Sequence, residues 1–322
     1  MAINIARFEY NAAVHWGIVR GDSVLPIAGD YPTTREFVTQ NTADALKETA
    51  QAEKEPLPVQ KIKLLSPITR NQQFVCQGAN YRKHMIESGL DPDAKHFNMI
   101  FTKAQSCIVA ADSPVIIPAQ VRFLDYEIEL GLVLRKSLNH AVELTEDQLP
   151  HYIAGLVIVN DYSARDIQIP QMQFYKGKSF RTFGPVGPWL CLLETDDYRY
   201  LHNLQLTLRV DNEVRQDDNT RNLVFGPVET LNELSRVQDL EAGDLIATGT
   251  PAGCALAIPS PRKQKVAALL PEAKKWELFF KTQKKRTQYL RPGQLVTSHV
   301  RSLDGVIDLG TQCNRVTKES SA

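Results

Sequence analysis

The chain has 322 residues, 43% of them hydrophobic and 23% charged, and its 37 basic and 37 acidic side chains leave no formal net charge. At about 150 residues per domain this length suggests about two domains. The apolar content excludes disorder, and the charge balance argues against nucleic acid as a partner. No apolar run approaches the roughly 18 residues of a membrane helix, so no membrane association is expected. Arg7 and Glu9 interrupt the opening residues where a signal peptide would be apolar. Five cysteines (Cys76, Cys107, Cys191, Cys254 and Cys313) are scattered and never in CxxC spacing. That usage predicts reduced thiols and a cytoplasmic location.

In chain order, INIARFEY, AVHWGIVRG and SVLPIAG read as short strands within residues 2–30, punctuated by Gly21-Asp22 and Gly29-Asp30. Residues 33–55 read as helical, and the stretch from Pro56 to Pro67 reads as a linker. The boundary of a small N-terminal module (1–70) is therefore placed near residue 70, with one larger domain over 71–322. FVCQGAN (74–80) reads as a strand, and YRKHMIESG (81–89) as one or two helical turns closed by Gly89. Residues 104–118, 125–136, 151–163, 188–195 and 204–214 read as further strands. Without GxGxxG or GxxxxGK[ST], and without alternating strands and helices, a nucleotide-binding fold is not expected. A mainly β, antiparallel or mixed roll with few helices is.

Pro261 to Arg291 carries ten basic and two acidic residues. Leu269, Ala273, Trp276 and Phe280 recur there at helical spacing, which predicts a helix with one apolar face. A solvated surface helix is the simplest reading; a membrane surface or an acidic ligand is the alternative.

The segment Asp125-Tyr126-Glu127-Ile128-Glu129-Leu130 is the most informative one for chemistry. In a strand of period two, Tyr126, Ile128, Leu130, Leu132 and Leu134 share an apolar face, and Glu127 and Glu129 share the other. Two like charges on one face repel unless a cation intervenes or a proton is taken up; an ordinary solvated face is the alternative. The apolar run Ile153–Val159 then delivers Asp161 at its end, followed by Arg165 and Asp166, which as neighbours suggest a local salt bridge. Three carboxylates without clustered His or Cys predict a hard divalent cation, Mg²⁺, Mn²⁺ or Ca²⁺, rather than zinc. On a helix, His84 and Glu87 share a face, as a general base and its orienting carboxylate would, or as a surface pair would. Lys178 within YKGKSF could neutralise an enolate or be solvated. DLIATGTP (244–251) could bring backbone and hydroxyl groups close to a carboxylate ligand, or be an ordinary turn.

Residues 74–256 resemble the fumarylacetoacetate hydrolase family through GANYRKHMIE, LDYEIELGLVL, YIAGLVIVNDYSARDIQ, GKSF, FGPVGPW and GDLIATGTPAG in that order. Residues 1–65 resemble the small β-rich N-terminal module of many members. The resemblance implies a mixed β-sandwich roll, usually a homodimer, holding one divalent cation, with Mg²⁺ the first expectation. It implies Glu127, Glu129 and Asp161 as metal ligands. It also implies His84 and Glu87 as a water-activating dyad on a short lid helix, Lys178 beside the metal, and Arg165, Gln168 and Thr250 as contacts to substrate oxygens. Two departures stand out. Arg181 replaces a common acidic residue, which would alter polarity near the lysine, and a basic helical insertion spans 259–292, for which substrate covering or dimer capping is the hypothesis.

The activity so implied is hydrolysis of a carbon–carbon bond in a 1,3-diketone or 2,4-dioxo acid (acylpyruvate-like), through a stabilised enolate. Decarboxylation or keto–enol tautomerisation of an oxaloacetate-like acid, or dehydration of a 2-keto-3-deoxy acid, uses the same site. A non-catalytic binding protein on the same scaffold is the reading outside enzymes.

Overall fold

A computed structural model describes residues 1–49, 55–259 and 269–319. Its largest sheet has eleven strands. Through its middle run Leu190–Leu192, Ile153–Asn160, Ile128–Leu134, Leu245–Ala247, Phe74–Gly78 and Met99–Lys103, in that order. At the other end, Ile3–Tyr10 pairs with Leu190–Leu192 through Ile3↔Leu192, so the N-terminal strands extend the same sheet. The Phe74–Gly78 strand runs parallel to Leu245–Ala247, and the Ile128–Leu134 and Ile153–Asn160 pair is antiparallel. A second sheet of five strands, centred on Leu204–Val210 and Leu295–Ser302, covers one face of the first. This is the expected mixed β sandwich with some helices.

The Ile128–Leu134 strand is buried at every residue, which explains its nearly unbroken apolar sequence. Ile128, Leu130, Leu132 and Leu134 join the core shared with the five-stranded sheet, as does Tyr126. Val133 packs on the opposite side with Val157, Val159, Phe37 and Trp16. The solvated face allowed for this strand does not exist, and Glu127 and Glu129 are buried with it.

Several segments differ from their sequence reading. Residues 33–55 hold two helices, Thr34–Gln40 and Ala43–Thr49, the first closed by the capping box of Thr33 and Glu36; positions 50–54 lie outside the described residues. The apolar residues 104–118 do not form one strand, because a 3₁₀ turn at Gln105–Cys107 leaves only the short pairs Ile108–Val109 and Val115–Ile117. The paired strand precedes them, at Met99–Lys103. Residues 204–214 form a hairpin, since Asp211 and Asn212 adopt φ of 49° and 72° and turn the chain back at that point.

In the basic insertion a helix covers Glu272–Gln283. Phe280 packs on the core and Gln283 is buried, whereas Leu269 and Ala273 are exposed, so the docking face is rotated from the expected one. Residues 260–268 of the insertion lie outside the described residues. The five cysteines are free, four of them buried. Among the described residues no helix is long and apolar enough to cross a membrane.

Candidate active site

Neighbouring strand ends deliver the acidic groups. Glu127 and Glu129 flank the start of Ile128–Leu134, and Asp161 follows the last residue of Ile153–Asn160, its N–H donating to the Glu127 carbonyl at 2.8 Å. One carboxylate oxygen from each of Glu127, Glu129 and Asp161 lies within 4.8 Å of the others, and all three residues are buried. An all-oxygen set of this size suits a hard divalent cation, so the sequence-derived trio is brought together as a site that could hold one.

Buried cations surround these groups. Lys178 Nζ donates to Glu127 Oε2 at 2.6 Å and to Asp161 Oδ2 at 2.5 Å. Arg165 donates through Nε to Asp125 Oδ2 at 2.8 Å, through Nη1 to Gln168 Oε1 at 2.8 Å, and through Nη2 to Glu127. Asp125, Glu127, Glu129 and Asp161 therefore face Lys103, Lys178 and Arg165, four carboxyl groups against three cations, an imbalance that a proton on one carboxyl or an added cation relieves. Burial pushes the Glu127 carboxyl up, but Arg165 and Lys178 outweigh it and hold the pKa down at about 2. Glu129 has only the Gly249 N–H at 3.0 Å as a hydrogen-bond donor among the described residues. Burial, then the charges of Asp161 and Glu127, raise its pKa well above the carboxylate range.

The expected salt bridge between Arg165 and its neighbour Asp166 is not formed. Successive helix residues point in different directions. Asp166 instead accepts from the Arg122 and Phe123 backbone N–H groups at 2.9 and 3.3 Å.

Lys178 closes the short helix Phe174–Lys178, which crosses Arg165–Gln171 so tightly that a Cβ on Gly177 would come within 2.5 Å of the Gln168 Cβ. Gly249, at φ +89°, makes the Thr248–Pro251 turn where Asn80 donates to the Thr248 carbonyl at 2.9 Å. That bond ties the turn to the start of the Arg82–Glu87 helix, which carries His84 and Glu87. His84 Nδ1 lies 4.0 Å from Glu87 Oε2, too far for a hydrogen bond, and the Nδ1 atom is buried without a partner among the described residues. The nearby His84 still holds the Glu87 carboxyl below its ordinary range, against the opposing effect of burial.

A cavity of about 300 Å³ joins these groups, lined by His84, Glu87, Glu127, Glu129, Arg165, Gln168, Lys178 and Thr250. Every candidate except Asp161 lines it, and Asp161 lies beneath, in contact with Lys178. The Thr250 hydroxyl is already engaged, donating to the Ile128 carbonyl at 2.9 Å and accepting from Gln216 at 2.8 Å, so it braces the wall. Arg181 is exposed and lies outside the residues that line the cavity.

Sequence reasoning missed Lys103 and Asp125. Asp125 anchors Arg165 and accepts from the Ala255 and Leu256 N–H groups at 2.7 and 2.9 Å. The signal for Lys103 is its place two residues after Phe101 in MIFTK, a charge on an inward-facing alternation.

A family model described as fumarylacetoacetate (FAA) hydrolase C-terminal matches residues 73–317, and one described as Rv2993c-like, N-terminal matches residues 4–67. The chain is 35% identical to the mitochondrial oxaloacetate tautomerase FAHD2A of Homo sapiens over 249 residues, 74% of this chain and 77% of that protein. It is also 35% identical to oxaloacetate tautomerase YisK of Bacillus subtilis, over 63% of this chain and 66% of that protein. A solved fumarylacetoacetate hydrolase from Exiguobacterium antarcticum superposes with a TM-score of 0.74 at 25% identity, over 98% of this chain and all of that one. A maleylpyruvate hydrolase from Sphingobium, solved with manganese and pyruvate, shares the fold at a TM-score of 0.71 and 21% identity, over 98% of this chain and all of that one.

Proposed function

The chain belongs to the fumarylacetoacetate hydrolase family, an enzyme family acting on small molecules, and from that premise we propose that it catalyses keto–enol tautomerisation of an oxaloacetate-like 2-oxo acid. The observation that carries the reading is the buried Glu127, Glu129 and Asp161 trio beside Lys178, at the floor of a cavity that His84 borders. These carboxylates would hold a divalent cation, Mg²⁺ or Mn²⁺, which when bound supplies the Lewis acidity that acidifies a carbon next to a carbonyl.

The chain's own groups do the rest. Arg165 and Gln168 hold the substrate carboxylate through N–H groups that their mutual bond orients. Glu127 and Asp161 keep Lys178 protonated, outweighing its burial, so its ammonium stabilises charge that builds on the 2-oxo oxygen. His84 moves the proton at C3: when it breaks the C–H bond the 2-oxo oxygen gains a proton, and when it makes that bond the enol oxygen loses one. The relatives named as oxaloacetate tautomerases support this choice.

The second reading is hydrolysis of the carbon–carbon bond of a 2,4-dioxo acid. The proximity of His84 and Glu87 favours it, because a carboxylate beside an imidazole suits activation of water. The test is a panel of enol oxaloacetate and acylpyruvates assayed with Mg²⁺ and with Mn²⁺. Accelerated ketonisation of oxaloacetate without pyruvate release from the acylpyruvates supports tautomerisation. Cleavage of the acylpyruvates alone replaces it with hydrolysis.

A further inference from the structure

A second cleft, of about 550 Å³, lies between the insertion helix and the main domain. Arg122, Lys281, Lys284, Arg286 and Arg291 line it, with Phe280 beside them, and among the described residues no acidic side chain does. The Arg122 guanidinium carbon lies 4.6 Å from the Phe280 ring centroid, and among the described residues its one carboxylate contact is Asp166 at 3.5 Å. Arg286 donates to the Ala255 carbonyl. Lys281, Lys284 and Arg291 form no ion pair among the described residues, and all three are exposed. Such like charges repel unless something anionic offsets them, and a concave apolar floor concentrates their field at the mouth.

We propose that this cleft is a second ligand site, separate from the catalytic cavity, that takes a small organic diphosphate. A single phosphate would leave most of this positive charge uncompensated. A diphosphate presents several oxygens to arginine forks and lysine ammonium groups. The cleft is larger than an inorganic diphosphate requires, and the Arg122–Phe280 pair beside Tyr289 offers a surface for an organic ring.

The cleft also touches the catalytic wall. Arg286 holds Ala255, Gln283 Nε2 donates to the Ala257 carbonyl at 2.9 Å, and Leu256 and Ile258 of the same segment line the catalytic cavity. A ligand that engages Arg286 therefore acts on residues 253–258.

The test uses ADP as probe against the full-length, cation-loaded protein, with calorimetry for binding and hydrogen–deuterium exchange for the 253–258 segment. The control is the surface double variant Lys284→Glu, Arg291→Glu. Saturable ADP binding, weakened about tenfold or more in the variant, with changed exchange at 253–258 in the wild type, is the expected result. Affinity unchanged in the variant would place ADP at the carboxylate centre and overturn the proposal. So would binding to anionic phospholipid vesicles with no ADP binding, or ADP binding that leaves the exchange of 253–258 unaltered.

Discussion

Lys103 Nζ lies 2.5 Å from Asp161 Oδ1, with both side chains wholly buried, and donates also to the Phe183 carbonyl at 2.7 Å. Burial disfavours the ammonium, but the Asp161 charge outweighs it and keeps the Lys103 pKa above its ordinary value. The lysine thus fixes one oxygen of Asp161 while Lys178 holds the other. Removing one member of such a pair leaves an uncompensated buried charge, so Lys103→Met is expected to cost about 3–5 kcal/mol of stability. The double variant Lys103→Met, Asp161→Asn is expected to cost less than the sum of the singles. Urea denaturation of the four proteins measures that coupling.

The tight crossing at Gly177 gives a second prediction. A methyl there meets Gln168 at 2.5 Å, so the two short helices must separate. Gly177→Ala is expected to lose about 1–3 kcal/mol of stability. It should also lower kcat by displacing Lys178, while cation affinity, which rests on three carboxylates, changes less. Thermal melts and paired kinetic and calorimetric measurements read the two effects separately.

His84 separates the two catalytic readings. Loss of a general acid–base group costs about 10²–10⁴-fold. His84→Ala is expected to reduce oxaloacetate ketonisation by that range. Glu87→Gln is expected to have a smaller effect, because Glu87 stands 4.0 Å from His84 without a hydrogen bond. A Glu87→Gln loss as large as that of His84→Ala would favour the water-activating dyad and hydrolysis.

Acid stability has a defined origin in one turn. Ser302 and Tyr200 each donate to Asp304 at 2.6 Å, and with the Val306 N–H they hold its carboxyl down at about 2. A carboxyl lowered on folding contributes stability that is fully present above its unfolded pKa and is lost as the pH falls through its folded value. The contribution should therefore vanish between about pH 4 and about pH 2. Tyr200→Phe is expected to flatten that limb of a plot of Tm against pH and leave the neutral region with a constant offset.

The Glu127–Glu129–Asp161 trio is legible in the sequence because strand periodicity and a carboxylate at the end of an apolar run are local signals. That both faces of Ile128–Leu134 are buried is not local, since it depends on strands far away in the chain covering each side. Lys103 escapes notice because the β-prone residues after it suggest a strand from 104 onward, whereas the paired strand ends at Lys103 itself. Arg165 and Asp166 mislead for the reverse reason. Adjacency suggests a pair, but a helix sends consecutive side chains apart, and Arg165 finds its partners, Asp125 and Glu127, some forty residues earlier. Thr250 lines the cavity, but the use of its hydroxyl by Gln216 depends on a hairpin with no sequence motif.

Divalent-cation calorimetry on Glu129→Gln bears most directly on the central claim. Glu129 touches no lysine or arginine at salt-bridge distance among the described residues, so its substitution orphans no buried cation and the fold should persist. The wild type is expected to bind one Mn²⁺ per chain. The variant should bind about 100-fold more weakly or not at all, a loss at or beyond that from outer-shell changes. Mn²⁺ binding of equal affinity in both proteins, or none in the wild type, would contradict the account.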